Sequence, residues 1–144
     1  MISGSLKDTG RIAHEFAKGV RPRPSGAAVI ALSGDLGSGK TTFTKAFASY
    51  FGIPAEEVTS PTFVIEKRFP LKNNPHFHTL IHIDAYRLER PEEIERLGWR
   101  ETVADRGSLI LIEWPENIQA ALPKDTIKIS FAFVDENTRE IVFN

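Results

Sequence analysis

The chain has 144 residues and a mass of 16.1 kDa, enough to bury about two thirds of the surface its unfolded form would expose, so a single domain spanning residues 1–144 is the expectation. A hydrophobic share of 41% beside 26% charged residues excludes disordered and fibrous classes, and a net charge of −1 leaves any RNA contact to a local surface or to a partner. The absence of cysteine excludes disulfides and thiolate metal sites, which fits the reducing cytoplasm. Lys7, Asp8, Arg11 and Glu15 interrupt the N-terminal apolar residues, so that stretch does not read as a signal peptide. No segment stays uncharged and apolar for the roughly 20 residues that a membrane-spanning helix needs.

Ile12, Ala13, Phe16 and Ala17 fall at helical spacing and predict an amphipathic helix over Thr9 to Lys18, capped by Asp8 or Thr9. Two prolines and a glycine make Arg21 to Gly26 a turn. Ala27 to Leu32 is an apolar run of the kind that forms a buried parallel strand, and Lys40 to Phe51 reads as the helix after it. Val64 to Phe69 is a strand candidate, followed by a loop from Pro70 to His78. Alternation over Leu80 to Tyr86 puts Leu80, His82, Asp84 and Tyr86 on one strand face, with Ile81, Ile83 and Ala85 on the other. Pro91, Glu92 and Glu93 suit the first turn of a helix that stops near Gly98, and Trp99 to Ala104 is a further helical stretch. Leu109 to Ile112 is a central strand halted by Glu113, Trp114 and Pro115, and Thr126 to Phe133 with Arg139 to Phe143 forms a closing hairpin. The expected fold is α/β: a mainly parallel central sheet flanked by helices, with antiparallel additions and a C-terminal hairpin.

Gly34, Gly39, Lys40 and Thr41 meet the pattern G-x-x-x-x-G-K-[ST] between a strand and a helix, the context a phosphate-binding loop requires. Glycine lets the backbone close around phosphate, and successive amides at a helix N-terminus present positive partial charge. Leu36, Gly37, Ser38, Gly39, Lys40, Thr41 and Thr42 would form the cradle, Lys40 against the terminal phosphates and Thr41 on magnesium. No Asn-Lys-x-Asp element for guanine is found in the sequence, so ATP with Mg²⁺ is favoured over GTP.

Hydrolysis also needs acids to hold the metal and orient water. In an open parallel sheet ligands collect beyond the carboxyl ends of strands, which is where Leu109 to Ile112 delivers Glu113. Glu113 therefore takes the Walker B place, reaching magnesium directly or through its water shell. Asp84 is the candidate for ordering magnesium-bound water, and His82, on the same strand face, reads as a satisfied structural histidine and not as a base. His76 and His78 lack companion ligands, so no zinc site is expected. Thr59 to Phe63 is either a switch segment that senses the terminal phosphate or a strand-entry turn fixed by Pro61.

Together, GDLGSGKTT at Gly34 to Thr42, SPTF at Ser60 to Phe63, HIDAYRL at His82 to Leu88 and IEWPE at Ile112 to Glu116 resemble the TsaE family. The resemblance implies a P-loop ATPase of bacterial threonylcarbamoyladenosine formation in tRNA, acting with TsaB and TsaD and touching tRNA through that complex. It further implies that Lys40 and Thr41 serve phosphate and magnesium, Glu113 magnesium, and Asp84 hydrolysis. On the same basis Ser60 to Thr62 acts as a switch, Trp114 lies close to the nucleotide, and Thr9 is a candidate for adenine. A small-molecule kinase and a nucleotide-dependent binding module with incidental hydrolysis are the alternative readings.

Overall fold

The computed structural model describes residues 1–58 and 66–144. The Thr59 to Phe63 segment and the first two residues of the Val64 to Phe69 strand candidate lie outside the described residues.

Seven strands form one sheet: β1 (Ile2–Ser3), β2 (Ala28–Ser33), β3 (Glu66–Pro70), β4 (Thr79–Asp84), β5 (Ser108–Glu113), β6 (Ile127–Asp135) and β7 (Thr138–Phe143). Their order is β1-β7-β6-β2-β5-β4-β3. The inner strands β6, β2, β5 and β4 run parallel, while β3 on one side and β7 with β1 on the other are antiparallel additions. The Ala27 to Leu32 and Leu109 to Ile112 runs thus become adjacent strands, apolar on both faces because helices cover both. β5 is interior, and β2 holds the middle place.

Side-chain alternation sends alternate residues of each inner strand to opposite layers. Ile30, Leu32, Leu80, Leu109 and Leu111 pack under α1 (Leu6–Gly19) and α2 (Lys40–Tyr50) with Ile12, Phe43 and Phe47. Val29, Ile81, Ile83, Ile110 and Ile112 pack beneath α3 (Glu92–Glu95), α4 (Trp99–Ala104) and a short 3-10 helix at Pro115–Ala121, through Ile94, Trp99 and Ile118. Gly98 (φ 74°) separates α3 from α4 at the expected place.

Two local expectations are corrected, and two short elements are new. α1 begins at Leu6 and is capped by Ser5, whose Oγ accepts the Asp8 N–H at 3.0 Å, while Asp8 Oδ2 accepts the Gly4 N–H at 3.1 Å. Leu6 is exposed, so apolar periodicity could not mark this first turn. β4 ends at Asp84 and not at Tyr86, because the Asp84 carboxylate takes the Tyr86 N–H at 3.0 Å and turns the chain out of the sheet. β1, two residues long, and the Pro115–Ala121 helix carry too little pattern to be read in advance. Among the described residues, no helix is long and apolar enough to cross a membrane.

Candidate active site

β2 runs directly into the glycine-rich loop, which opens α2. Gly34 has φ 146°, and a Cβ there would lie 2.5 Å from the Phe131 carbonyl oxygen and 2.7 Å from Ser38 Oγ, so only glycine fits. Gly39, at φ 106°, is the N-cap of α2 and leaves the first-turn amides of that helix without a side-chain cap. Ser38 Oγ is buried and has no hydrogen-bond partner among the described residues. Those free donors and the orphaned hydroxyl form a cradle suited to an anion.

Lys40 is 5% exposed. Its Nζ donates to the Gly34 carbonyl oxygen and lies 3.8 Å from the centre of the Trp114 ring, a cation–π contact. Burial pulls the Lys40 ammonium below its ordinary pKa, against the opposing fields of Glu113, Glu116, Asp84 and Asp35. Trp114 is held at φ 58°, ψ 50°, a left-handed conformation that costs a non-glycine residue about 1 kcal/mol or more. This bend brings the indole from the end of β5 over the lysine.

The acids arrive by register. Asp84 on β4 is the cross-strand neighbour of Glu113 on β5, and Glu113 in turn sits opposite Leu32 on β2, two residues before the loop. Both carboxylates therefore stand at the carboxyl ends of parallel strands beside Lys40. Glu113 is 4% exposed and its Oε2 lies 2.6 Å from Nε2 of His82, itself 3% exposed. The histidine is thus buried and hydrogen-bonded. Burial pushes the Asp84 carboxyl above its ordinary pKa, with Glu113 adding to the rise and the Tyr86 N–H, His82 and Lys40 opposing it.

A cavity of about 260 Å³ joins these groups, with Leu36, Gly37, Gly39, Lys40, Thr41, Thr42, Asp84, Glu113 and Trp114 in its wall. Thr9 also lines it, its Oγ1 hydrogen-bonded to Ser3 Oγ at 2.7 Å. Ser38 is buried within the loop behind this wall. Sequence reasoning missed the contribution of the chain ends. β1 pairs with β7, which brings Ser3, Ser5 and Leu6 together with Glu136, Asn137 and Arg139 of the C-terminal hairpin at the same mouth. No local motif signalled this, since the contact depends on a pairing between residues at opposite ends of the sequence. The cavity combines an anion cradle, a buried cation and two carboxylates, which is suited to a phosphorylated ligand carrying a divalent cation.

Comparison with known proteins agrees with the four motifs. Residues 3–141 match the family described as "Threonylcarbamoyl adenosine biosynthesis protein TsaE". A Rickettsia bellii protein named "tRNA threonylcarbamoyladenosine biosynthesis protein TsaE" is 37% identical over 138 residues, 96% of this chain and 89% of that protein. A Bacillus subtilis protein of the same name is 42% identical over 115 residues, 80% of this chain and 68% of the relative. The crystal structure of Bacillus subtilis YdiB superposes with a TM-score of 0.75 at 32% identity, covering 99% of this chain and 82% of that one.

Proposed function

The chain belongs to the TsaE family, and on that premise we propose that it is the magnesium-dependent ATPase subunit of tRNA threonylcarbamoyladenosine biosynthesis, a P-loop domain spanning residues 1–144. The observation that carries this reading is the convergence of the buried Lys40 cation, the Gly34 to Thr41 cradle and the paired strand-end acids Asp84 and Glu113 on one cavity.

The residues fit the ligand. The amides at the start of α2, which no side chain caps, supply donors for phosphate, and the buried Ser38 hydroxyl, without a partner among the described residues, adds a donor within the loop itself. Leu36, Gly37, Ser38, Gly39, Lys40, Thr41 and Thr42 hold the phosphates, and Thr9 serves the adenine end. Thr41 and Glu113 hold magnesium through hydroxyl and carboxylate oxygens, the ligand type this hard cation takes. Magnesium, when bound, withdraws charge from the terminal phosphate oxygens. Lys40 leaves the Gly34 carbonyl and the Trp114 ring to meet that phosphate, and Asp84 orients the attacking water.

In this reading turnover is slow for the free protein and rises on assembly with TsaB and TsaD in the cytoplasm, resetting that complex between rounds of modification. Tests with purified components would compare ATP with GTP hydrolysis, with and without TsaB, TsaD and tRNA. ATP turnover that is stimulated by the partners and accompanied by tRNA modification supports the proposal. Lys40→Ala is expected to lower turnover by at least 100-fold, since it removes a buried charge from the phosphate site (on the order of 3 kcal/mol). Wild-type turnover by that variant, or modification without this chain, overturns the reading.

A further inference from the structure

We propose that His82 is a positioning residue that holds the Glu113 carboxylate in the orientation needed to receive the divalent cation. This inference rests on the ATPase reading, and adds a role for a side chain that the reading itself leaves idle.

The geometry is specific. His82 and Glu113 are 31 residues apart in sequence, and their side chains meet at 2.6 Å where both are buried. Parallel pairing of β4 with β5 sets His82 opposite Leu111 and Asp84 opposite Glu113, so the imidazole reaches diagonally across the strands to the acid. As a cation ligand Glu113 is ionised and only accepts hydrogen bonds, and in that role the facing Nε2 of His82 is the donor. That donor engages Oε2 of Glu113 and leaves Oε1 for another partner.

Glu113 is the last residue of β5, next to the left-handed turn at Trp114, and a glutamate has three side-chain torsions. Without a second anchor its carboxylate would sample several rotamers, and a small cation that demands near-octahedral geometry tolerates such freedom poorly. A hydrogen bond from a buried imidazole removes that freedom, as outer-shell partners do for metal ligands in general, where their loss typically weakens metal affinity or activity by 10- to 100-fold. Because His82 lies on the same strand as Asp84, two residues away, one strand aligns both acids.

The test uses the full-length protein and two substitutions. His82→Leu fills the buried position with an apolar side chain and removes the donor, and His82→Gln returns an N–H donor. Mn²⁺ affinity of the ATP-loaded protein is read by electron paramagnetic resonance, and ATP binding in EDTA is read by a fluorescent ATP analogue. His82→Leu is expected to weaken Mn²⁺ binding by about 10- to 100-fold while changing metal-free ATP binding less than about two-fold, with His82→Gln recovering most of the loss. In a Glu113→Gln background, His82→Leu is expected to cause no further loss of Mn²⁺ affinity, because the two act through one oxygen pair.

Unchanged Mn²⁺ affinity in His82→Leu overturns the inference, as does an equal loss of metal-free and metal-dependent binding, which marks a purely structural role. If His82→Leu does not fold, the Gln variant decides: Mn²⁺ affinity within two-fold of wild type supports the inference, and a loss as large as that of Glu113→Gln overturns it. Wild-type protein that binds ATP and Mn²⁺ no better together than apart overturns the ATPase reading itself, and the inference falls with it.

Discussion

At Gly34 the backbone conformation and the lack of space act together. Alanine there would have to adopt φ 146° and push against the Phe131 carbonyl, so Gly34→Ala is expected to destabilise the fold by about 1–3 kcal/mol, read as a lower urea midpoint at unchanged slope. Asp84 makes a prediction in pH. Its carboxyl is raised above the ordinary value of 3.8, chiefly by burial, so across a window above 3.8 the folded protein holds a proton that the unfolded chain has released. Stability contributed by this group is therefore lost as pH rises through that window. Asp84→Asn, which carries no titrating proton, is expected to flatten this part of the stability curve measured by urea titration from pH 3.5 to 6. A curve that keeps the wild-type slope there refutes the assignment. As candidates, Lys40 and Glu113 were legible in the sequence from a glycine-rich octet and an acid at the end of an apolar run, and Asp84 from its place on the polar face of the alternating Leu80 to Tyr86 stretch. The Lys40 contact with Trp114 was not, because it depends on a left-handed turn at a non-glycine residue, which no propensity announces.

Elements were legible in proportion to their internal repetition. Alternation from Leu80 onward assigned His82 and Asp84 to one face and Ile81 and Ile83 to the other, and the two core layers divide in that way. The start of α1 was misplaced because the apolar residue of its first turn, Leu6, faces solvent and falls outside the buried periodicity, and its position is set by the Ser5 cap instead. Ser5→Ala is expected to cost about 1 kcal/mol, seen as a lower thermal midpoint without loss of the folded baseline. Asp8, whose carboxyl is held below its ordinary pKa by the Gly4 N–H and by Arg11, supports the same turn from inside the helix. β1 was not foreseen, since two residues carry no pattern and its strand character exists only by pairing Ile2 and Ser3 with Glu140 and Arg139.

At the scale of the molecule, the helical layer over the loop is an aromatic cluster. Phe47 is fully buried, with ring centres of Phe16, Phe43 and Phe51 at 5.9, 6.3 and 5.3 Å. Phe47→Ala is expected to cost about 3–5 kcal/mol in urea unfolding, and since α2 carries Lys40 and Thr41 at its other end, turnover should fall only as far as the folded fraction does. The sequence by itself determined the glycine-rich loop, the strands flanking it and the residue types at their ends, because those follow from backbone sterics and side-chain periodicity within a few neighbouring residues. Only the tertiary structure decided which of those ends meet. Strand order and register set Asp84 beside Glu113, clasp Glu113 to His82 across 31 residues, and fold Ser3 and Arg139 from opposite ends of the chain onto one cavity. Such contacts arise from packing the whole sheet between its helices, a long-range balance of buried surface that no short window of sequence contains.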